Sequence, residues 1–464
     1  ANAIVIPMTG WLSRFFGRKR FLLVSVALFT LSSFLCGASW SLQALIFFRI
    51  LQGLSGGSLQ PISQAILLET FPRHQHGMAM AIFGIGIMIG PVIGPLLGGW
   101  ITDNWSWHWV FFINIPIGIV AILMATAFIV DPHYAEARKV RIDYMGLAFL
   151  AVGIGCLQIV LDQGQREDWF ASPFILWLSV IAAAGLVFFV VNEHYADHPI
   201  VDFHIFKNFT FASGNIIAFA TFFTLFGSLI MLPICLQTLM GYTAFLAGWV
   251  LGPGGVMAMI SMPIAGRLIT RVNPKAVLFV GAMITAWSVL MMSWFNLQTD
   301  FYTVAWPRVV MGFGMGLLFV PLTTLTMSWV RNEEMGNASS VFNLLRMLGG
   351  SFGVAFASTL VSRRAQFHQA RLAEGMSVLD RNFQEALPQV AQVLKGQGFA
   401  PSQLDGGTLG LLYKKLVTEA TMMAFNDTFF VLAVLMAISG MLVLFMKRSH
   451  ETAGSGRAQP AAAE

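Results

Sequence analysis

Continuous apolar runs of about 20 residues dominate this chain, and that is the length an α-helix needs to cross the hydrocarbon of a bilayer. They lie at about 21–40, 43–69, 78–101, 109–130, 144–162, 173–192, 212–239, 245–269, 275–296, 303–329, 337–361 and 421–446. A shorter run at about 1–12 reads as the tail of a helix cut at its start. Within the runs polar residues are scattered and do not alternate with apolar ones, as they do in strands of a membrane barrel. Composition supports the same reading. Of 464 residues 56% are hydrophobic and 11% charged, against about 25% charged in soluble domains. The fold class expected is an all-α, multi-pass membrane protein, and a soluble enzyme is excluded.

The basic residues give the chain an orientation. Arg14, Arg18, Lys19 and Arg20, then Arg138, Lys139 and Arg141, then Arg267, Arg271 and Lys275, and finally Lys447 and Arg448 fall on one side if the spans alternate. The opposite short loops, such as 39–42, 102–108 and 237–243, carry almost no Lys or Arg. The positive-inside rule places the basic side, and with it the C-terminus, in the cytoplasm. The opening residues then fall inside the membrane or at its outer side, so one or more further spans are expected upstream. The net charge of +5 is a topology signal and not a nucleic-acid surface. Cys36, Cys156 and Cys235 lie inside apolar runs without CxxC spacing, and His194, His198 and His204 share a polar loop without metal-ligand spacing, so no metal site is expected.

An internal repeat organises the rest. Arg49 and Arg308 are 259 residues apart, and the same offset carries Gly53 to Gly312, Gly57 to Gly316, Gly77 to Gly336, Ala79 to Ala338, Phe83 to Phe342, Gly90 to Gly349 and Gly94 to Gly353. Two related halves in a membrane protein imply a transporter with its substrate site near the midplane between them. The two spans at about 144–192 have no partner in the repeat and read as an insertion.

Three motifs then suggest a family. Gly10-Trp-Leu-Ser-Arg14-Phe-Phe-Gly17-Arg18-Lys19-Arg20 resembles the GxLaDRxGRK loop of the major facilitator superfamily, with Arg14 in place of its Asp. Arg49-Ile-Leu-Gln52-Gly53 resembles that superfamily's RxxxG motif. Gly90-Pro91-Val-Ile-Gly94-Pro95-Leu-Leu-Gly98-Gly99 resembles its antiporter signature; with Gly86 it sets glycines at i, i+4 spacing on one helix face, a ladder that permits close helix contact. Trp107 to Gly118, Leu161 to Gly164 with Asp168-Trp169, and Leu236-Gln237 with Gly241-Tyr242 resemble the fourteen-span drug:proton antiporters of EmrB/QacA type.

The resemblance implies two six-helix bundles plus two inserted helices, with helix one missing from this chain. The expected parts are 1–130, an N-terminal bundle with helix two partial; 131–192, a cytoplasmic linker and the inserted pair; 193–361, the first five helices of the C-terminal bundle; 362–418, a long periplasmic loop with helix-like patches at 365–375 and 382–395; 419–448, the last span; and 449–464, a disordered cytoplasmic tail. It further implies a proton-driven exporter of lipophilic drugs in the inner membrane, without a cofactor, that works among membrane lipids with a periplasmic adaptor and an outer-membrane channel. An exporter of a metabolite or siderophore with the same fold is the alternative.

Gly10, Gly17, Arg18, Arg49, Gly90, Pro91, Gly94, Pro95 and Gly98 are the candidate coupling and conformational residues. An Arg inside a span costs several kcal/mol unless it meets a partner or water, or snorkels to the interface. Polar groups within spans are the pocket candidates: Gln52, Gln60, Gln64, Asn114, Asn343 and Arg346, and beyond them Gln158 and Asn215. Each could equally bridge helices. Met257, Met259, Met262, Met311, Met315, Phe222, Phe223 and Phe226 could line a permissive pocket, though core packing is the commoner use. The acids Glu69, Asp103, Asp162, Asp300, Glu333, Glu334 and Asp427 all fall at span ends or in loops, so the proton-carrying carboxylate is expected upstream. Arg49 and Arg346 are the most embedded charges in this reading, and their sign points to neutral or anionic lipophilic cargo.

Overall fold

The computed structural model describes residues 2–130, 143–196, 199–374, 381–396 and 404–446. Arg138, Lys139, Arg141, His198, Lys447, Arg448 and the tail at 449–464 lie outside the described residues, as do the side chains of Pro91, Pro95 and Asp103. Ten helices among the described residues are long and apolar enough to cross a membrane.

The first half comprises α1 (Asn2–Phe16), α2 (Arg18–Gly37), α3 (Leu42–Gly56), α4 (Leu59–Thr70), α5 (His76–Asn104), α6 (Trp109–Phe112) and α7 (Asn114–Phe128). The inserted pair is α8 (Tyr144–Gln163) and α9 (Pro173–Tyr195). The second half comprises α10 (Phe209–Thr238), α11 (Ala244–Leu268), α12 (Pro274–Met292), α13 (Phe301–Met327), α14 (Met335–Glu374), α15 (Arg381–Gly396) and α16 (Leu404–Leu442).

Helix starts follow local chemistry. Ser41 Oγ accepts from the Ala44 amide at 3.2 Å, Asn208 Oδ1 from Thr210 at 2.9 Å and Thr243 Oγ1 from Leu246 at 3.2 Å, each satisfying an orphan N–H of a first turn. Gly17 joins α1 to α2 at φ +81°, a left-handed conformation that glycine adopts without steric cost.

The repeat is visible in where elements begin. The 259-residue offset carries Leu42, the first residue of α3, onto Phe301, the first of α13. It carries the 3₁₀ turn Arg73–Gln75 onto the 3₁₀ turn Asn332–Glu334, and His76 at the head of α5 onto Met335 at the head of α14. One difference is internal. The run at 43–69 is divided into α3 and α4 at Gly57–Ser58, where Ser58 Oγ meets Ser25 Oγ of α2 at 3.0 Å. Its counterpart α13 runs unbroken.

The span boundaries at the far end also differ from the apolar runs. α14 has 40 residues and α16 has 39, about 60 Å each, twice the thickness of the hydrocarbon. α14 continues past residue 361 to Glu374, and α16 begins at Leu404. Much of 362–418 is therefore helical, and α15 packs on α16. Many large apolar side chains on the helices face outward, as lipid contact requires; Leu123, Val187 and Phe445 are examples. Trp100, Trp105, Trp107 and Trp109 cluster at the turn between α5 and α7, where indoles suit a membrane–water boundary.

Candidate functional site

The two halves meet in a repeated way. α1 and α4 pack on α14, and α5 packs on α11 and α13. At the α1/α14 crossing, a Cβ added to Gly10 would stand 2.9 Å from the backbone of Asn337, next to Gly336. At the α5/α11 crossing, a Cβ on Gly266 would stand 2.9 Å from the carbonyl oxygen of Gly77. Gly336 is the repeat partner of Gly77, so two equivalent backbone contacts close the bundles against each other. Both lie near the basic end. There Arg18, nearly fully buried, is paired with Glu69 of α4, and Arg73 Nη1 donates to the Ser328 carbonyl of the other half at 3.3 Å.

Further from that end, α5 diverges from its neighbours. Gly84 still lies against Met262 and Phe319, but Gly86, Gly90, Gly94 and Gly98 have nothing within 4 Å of an added Cβ. The close helix contact expected of this ladder is thus not made among the described residues, because α11 and α13 touch α5 over its first half. The repeat partners of Gly90 and Gly94 are tightly packed. Added Cβ atoms at Gly349 and Gly353 would stand 2.4 and 2.0 Å from the carbonyl oxygens of Phe219 and Phe223 of α10.

A cavity of about 810 Å³ opens between the halves where α5 diverges. Gln60, Gly86 and Gly90 line it from the first half, Gln158 and Asp162 from the inserted pair, and Phe222, Arg308, Met311, Asn343 and Arg346 from the second. The inserted pair is fixed there: Gln158 Nε2 donates to Ser351 Oγ of α14 at 3.0 Å, and Gly153 of α8 crosses Gly185 of α9 at backbone contact.

A polar seam of α4 and α14 floors the cavity. Asn343 Nδ2 donates to Gln64 Oε1 at 2.6 Å, Ser339 Oγ donates to the Pro61 carbonyl at 2.8 Å, and Arg346 Nη2 donates to Gln60 Oε1. Four pocket candidates, Gln60, Gln64, Asn343 and Arg346, thus come together across the two halves. The others do not. Gln52 receives a hydrogen bond from Arg49, Asn114 donates to Ser33 at 3.0 Å, and Asn215 donates to the Phe211 carbonyl at 2.8 Å. Of the sulfur and aromatic candidates, Phe222, Phe226, Met311 and Met315 line the cavity, and Met262 is core.

Arg49 is corrected by the structure. Its guanidinium is not embedded: the residue is exposed, with Nη1 on Gln52 Oε1 at 2.9 Å and the charge 5.5 Å from the Phe111 ring centroid. The position is the middle of α3, on a stretch that the described residues leave mostly uncovered. Its repeat partner Arg308 is the embedded one, 5% exposed, with Nη1 3.1 Å from Met311 Sδ. Sequence reading used Arg308 only to mark the repeat and missed it as a site residue, although the repeat itself was the signal.

A reciprocal pair of glycine crossings around a central cavity is the arrangement of a two-bundle transporter, and the sequence comparison decides which. The family model described as Major Facilitator Superfamily matches residues 1–354.

The chain belongs to the major facilitator superfamily.

Within that superfamily it belongs to the EmrB/FarB multidrug export family, and it is a membrane transporter. It is 35% identical over 457 residues to "Multidrug export protein EmrB" of Escherichia coli (strain K12), covering 98% of this chain and 88% of the relative. It is likewise 35% identical over 460 residues to "Fatty acid resistance protein FarB" of Neisseria gonorrhoeae, covering 98% and 88%. Solved structures of the superfamily share the fold. The proton:xylose symporter XylE bound to 6-bromo-6-deoxy-D-glucose superposes with a TM-score of 0.59 at 11% identity, over 96% of this chain and 84% of that one. The human organic anion transporter MFSD10 (TETRAN) gives 0.58 at 13% identity, over 94% and 80%.

Proposed function

We propose that this superfamily member is a proton-driven exporter of lipophilic toxic compounds across the inner membrane. The observation that carries the reading is the cavity between the halves, open along α5 and shut at the basic end by Gly10 against Gly336–Asn337 and Gly77 against Gly266. With the basic end in the cytoplasm, this is a state that releases cargo outward. Import of a proton and a return to inward access would complete the cycle. The candidate gate residues are Gly10, Gly17 and Arg18 at the closed end and Gly90, Gly94 and Gly98 along the open face, with Pro91 and Pro95 between them in the sequence. The names of the relatives, multidrug export and fatty acid resistance, support a cargo that is apolar and toxic. Everted vesicles carrying the full-length protein test it. Cargo addition should release lumenal protons, and the absence of such coupling across a panel of lipophilic drugs, metabolites and siderophores would overturn the reading.

The same chain is proposed to work with a periplasmic adaptor and, through it, an outer-membrane channel. The far ends of α14 and α16 support this, since about half of each helix projects past the hydrocarbon. Arg364 and His368 of α14 both reach Asp427 Oδ2 of α16 at 2.6 Å and tie the projection together. Phe367, Leu409 and Tyr413 stand exposed on it. Deleting 362–418 should abolish adaptor co-purification and leave transport in everted vesicles intact; unchanged co-purification would exclude this docking site.

A further inference from the structure

α8 stands where the two halves part, and its contacts with them differ in kind. It packs on α1 of the first half and on α14 of the second, and α1 and α14 pack on each other. Its Gln158 and Leu161 line the cavity together with Ile6 of α1 and Ser351 of α14. Toward α14 the contacts are directional. Gln158 Nε2 donates to Ser351 Oγ at 3.0 Å, and Ser351 Oγ lies 3.2 Å from Gln158 Oε1. At the outer end Trp169 Nε1 donates to Thr359 Oγ1 at 3.1 Å. At the basic end the segment joining α9 to α10 completes the set. There Asn337 Nδ2 donates to the Asp202 carbonyl at 3.0 Å, and Asn337 Oδ1 accepts from the Asp202 amide at 3.3 Å. That segment is held by α9, whose buried Glu193 accepts from the Val201 amide at 3.2 Å. α9 in turn is tied to α8 by Asn192 on Asp143 and by the crossing of Gly185 and Gly153.

Asn337, Ser351 and Thr359 fall on one face of α14, within about 80° of arc at 3.6 residues per turn. Together they span about 33 Å of helix, the thickness of the hydrocarbon. The outer anchor is built on an unusual corner. Asp168 and Trp169 have φ of +55° and +53°, a region that residues with a side chain rarely adopt. The corner sets the indole on Thr359 and on Gln165 Oε1, and a Cβ on Gly164 beneath it would stand 2.8 Å from the ring. Toward α1 the surface is apolar. Leu150 and Ile154 of α8 share one buried core with Ala3 and Trp11 of α1, and a Cβ on Gly155 would stand 3.8 Å from Ile4 Cδ1, an ordinary contact. The hydroxyls of α1 are used within it, Thr9 donating to the Val5 carbonyl at 3.1 Å and Ser13 to the Gly10 carbonyl at 2.9 Å. Arg14 of α1 attracts Asp202 electrostatically, but its guanidinium is exposed and the attraction is screened.

A helix at a moving seam can follow only one side. Hydrogen bonds weaken steeply when their geometry is lost, whereas apolar surfaces slide and remain in contact. Each interhelical hydrogen bond is modest alone. Three anchors along the full height of one face oppose both sliding along α14 and tilting away from it. We propose that the inserted pair is a fixed part of the second half, with Asn337, Ser351 and Thr359 as positioning residues, and that α1 slides along α8 as the halves rock. The seam between α1 and α14 then stays covered through the cycle. α8 follows α14, presents Gln158 to the cavity in each state and keeps bilayer lipid out where α1 withdraws. This holds for any cargo and requires only that the halves rock as rigid bodies.

The test uses cysteine pairs in the full-length protein with Cys36, Cys156 and Cys235 replaced by Ala. One pair, Gln158→Cys with Ser351→Cys, joins α8 to α14; the other, Gly155→Cys with Ile4→Cys, joins α8 to α1. Each is treated in nanodiscs with a short, an intermediate and a long bis-methanethiosulfonate. A fixed separation is captured best by the one reagent that matches it, so the α8–α14 pair should cross-link about fivefold better with the short reagent than with the long one. The α1–α8 pair should be captured by all three. Adding Trp169→Phe and Thr359→Val should extend capture of the α8–α14 pair to the long reagent, which a merely local role for these side chains would not do. In everted vesicles the α8–α14 bridge should leave drug-driven proton release unchanged, and the α1–α8 bridge should abolish it until a reducing agent opens the disulfides. Capture of the α1–α8 pair at one length or none, an even spread for the α8–α14 pair, or loss of transport on bridging α8 to α14 overturns the proposal. An absence of proton release in every sample, bridged or not, counts against the exporter reading alone, and the reagent-length patterns, which need no cargo, still decide this one.

Discussion

Gly266 of α11 lies with its Cα against the carbonyl oxygen of Gly77 of α5, so close that a Cβ on Gly266 would stand 2.9 Å from that oxygen. The obstacle is backbone, which no change of rotamer relieves. Gly10 meets the backbone of Asn337 at the same distance in the other crossing. These are contacts between bundles, so a side chain there pries the basic end apart and leaves each bundle's own core intact.

Gly266→Val and Gly10→Val should therefore insert and purify normally yet lose transport at least tenfold. Cysteines placed at the basic ends of α5 and α11 should become more reactive to a water-soluble maleimide in the Gly266→Val variant. Unaltered labelling together with unaltered transport would show that the crossing is not a moving contact.

The seam of Gln64 and Asn343 makes a second prediction. Their hydrogen bond, 2.6 Å long, joins α4 to α14 and is fully buried, and each side chain also holds a buried polar atom without a partner, Gln64 Nε2 and Asn343 Oδ1. Interhelical hydrogen bonds in membranes contribute about 0.6–2 kcal/mol. Gln64→Leu and Asn343→Leu should each destabilise the folded protein in mixed micelles, and the double variant should cost less than the sum. The expected coupling is about 1 kcal/mol. Strict additivity would mean that the two side chains do not depend on each other.

Much of this architecture could be read from the residues, and the reasons are local. The 259-residue offset from Arg49 to Arg308 already fixed which helix starts correspond, because capping and turn residues repeat with it. Gln60, Gln64, Asn343 and Arg346 were recognisable as polar groups inside apolar runs, where they need partners. Their mutual contact was not recognisable, since it depends on how one bundle rests on the other. Burial misled the reading at Arg49 and Arg308. The two share a motif position and the same reach to the residue three along, yet α13 is enclosed and the middle of α3 around Arg49 is exposed. The lengths of α14 and α16 were hidden as well, because apolar periodicity ends at the membrane surface while the helices continue in polar sequence.

Asp300 gives a pH-dependent prediction outside the membrane. Its carboxylate caps α13, accepting from the Thr303 hydroxyl and from the amides of Thr303 and Tyr302 at 3.4 and 3.2 Å. These hydrogen bonds, the Thr303 hydroxyl foremost, hold its carboxyl below the usual carboxylate range. A depressed folded-state value means the stabilisation is complete above the unfolded value of about 3.9 and is lost as pH falls through the lower folded one. Melting temperatures of the parent protein and Asp300→Asn should therefore differ most at pH 5–6 and converge toward pH 3. A constant gap across that range would assign the difference to something other than ionisation.

Arg49 is the sharper test of the coupling proposal. Its guanidinium is satisfied twice, by Gln52 Oε1 at 2.9 Å and by the Phe111 ring at 5.5 Å, which is more than an interfacial anchor requires. Gln52 in turn is buried, with its oxygen 3.9 Å from Cys36 Sγ of α2. Removing the guanidinium leaves that oxygen with a thiol as its remaining donor, a weak one. Arg49→Ala should thus insert at parent levels but lose cargo-driven proton release in everted vesicles by about tenfold or more. Arg49→Lys should recover little, because an ammonium cannot hold Gln52 and the aromatic face with the same planar fork. Full activity in Arg49→Ala would return the residue to the role of a snorkelling anchor at the membrane surface, and the coupling charge would then have to be sought on the second half.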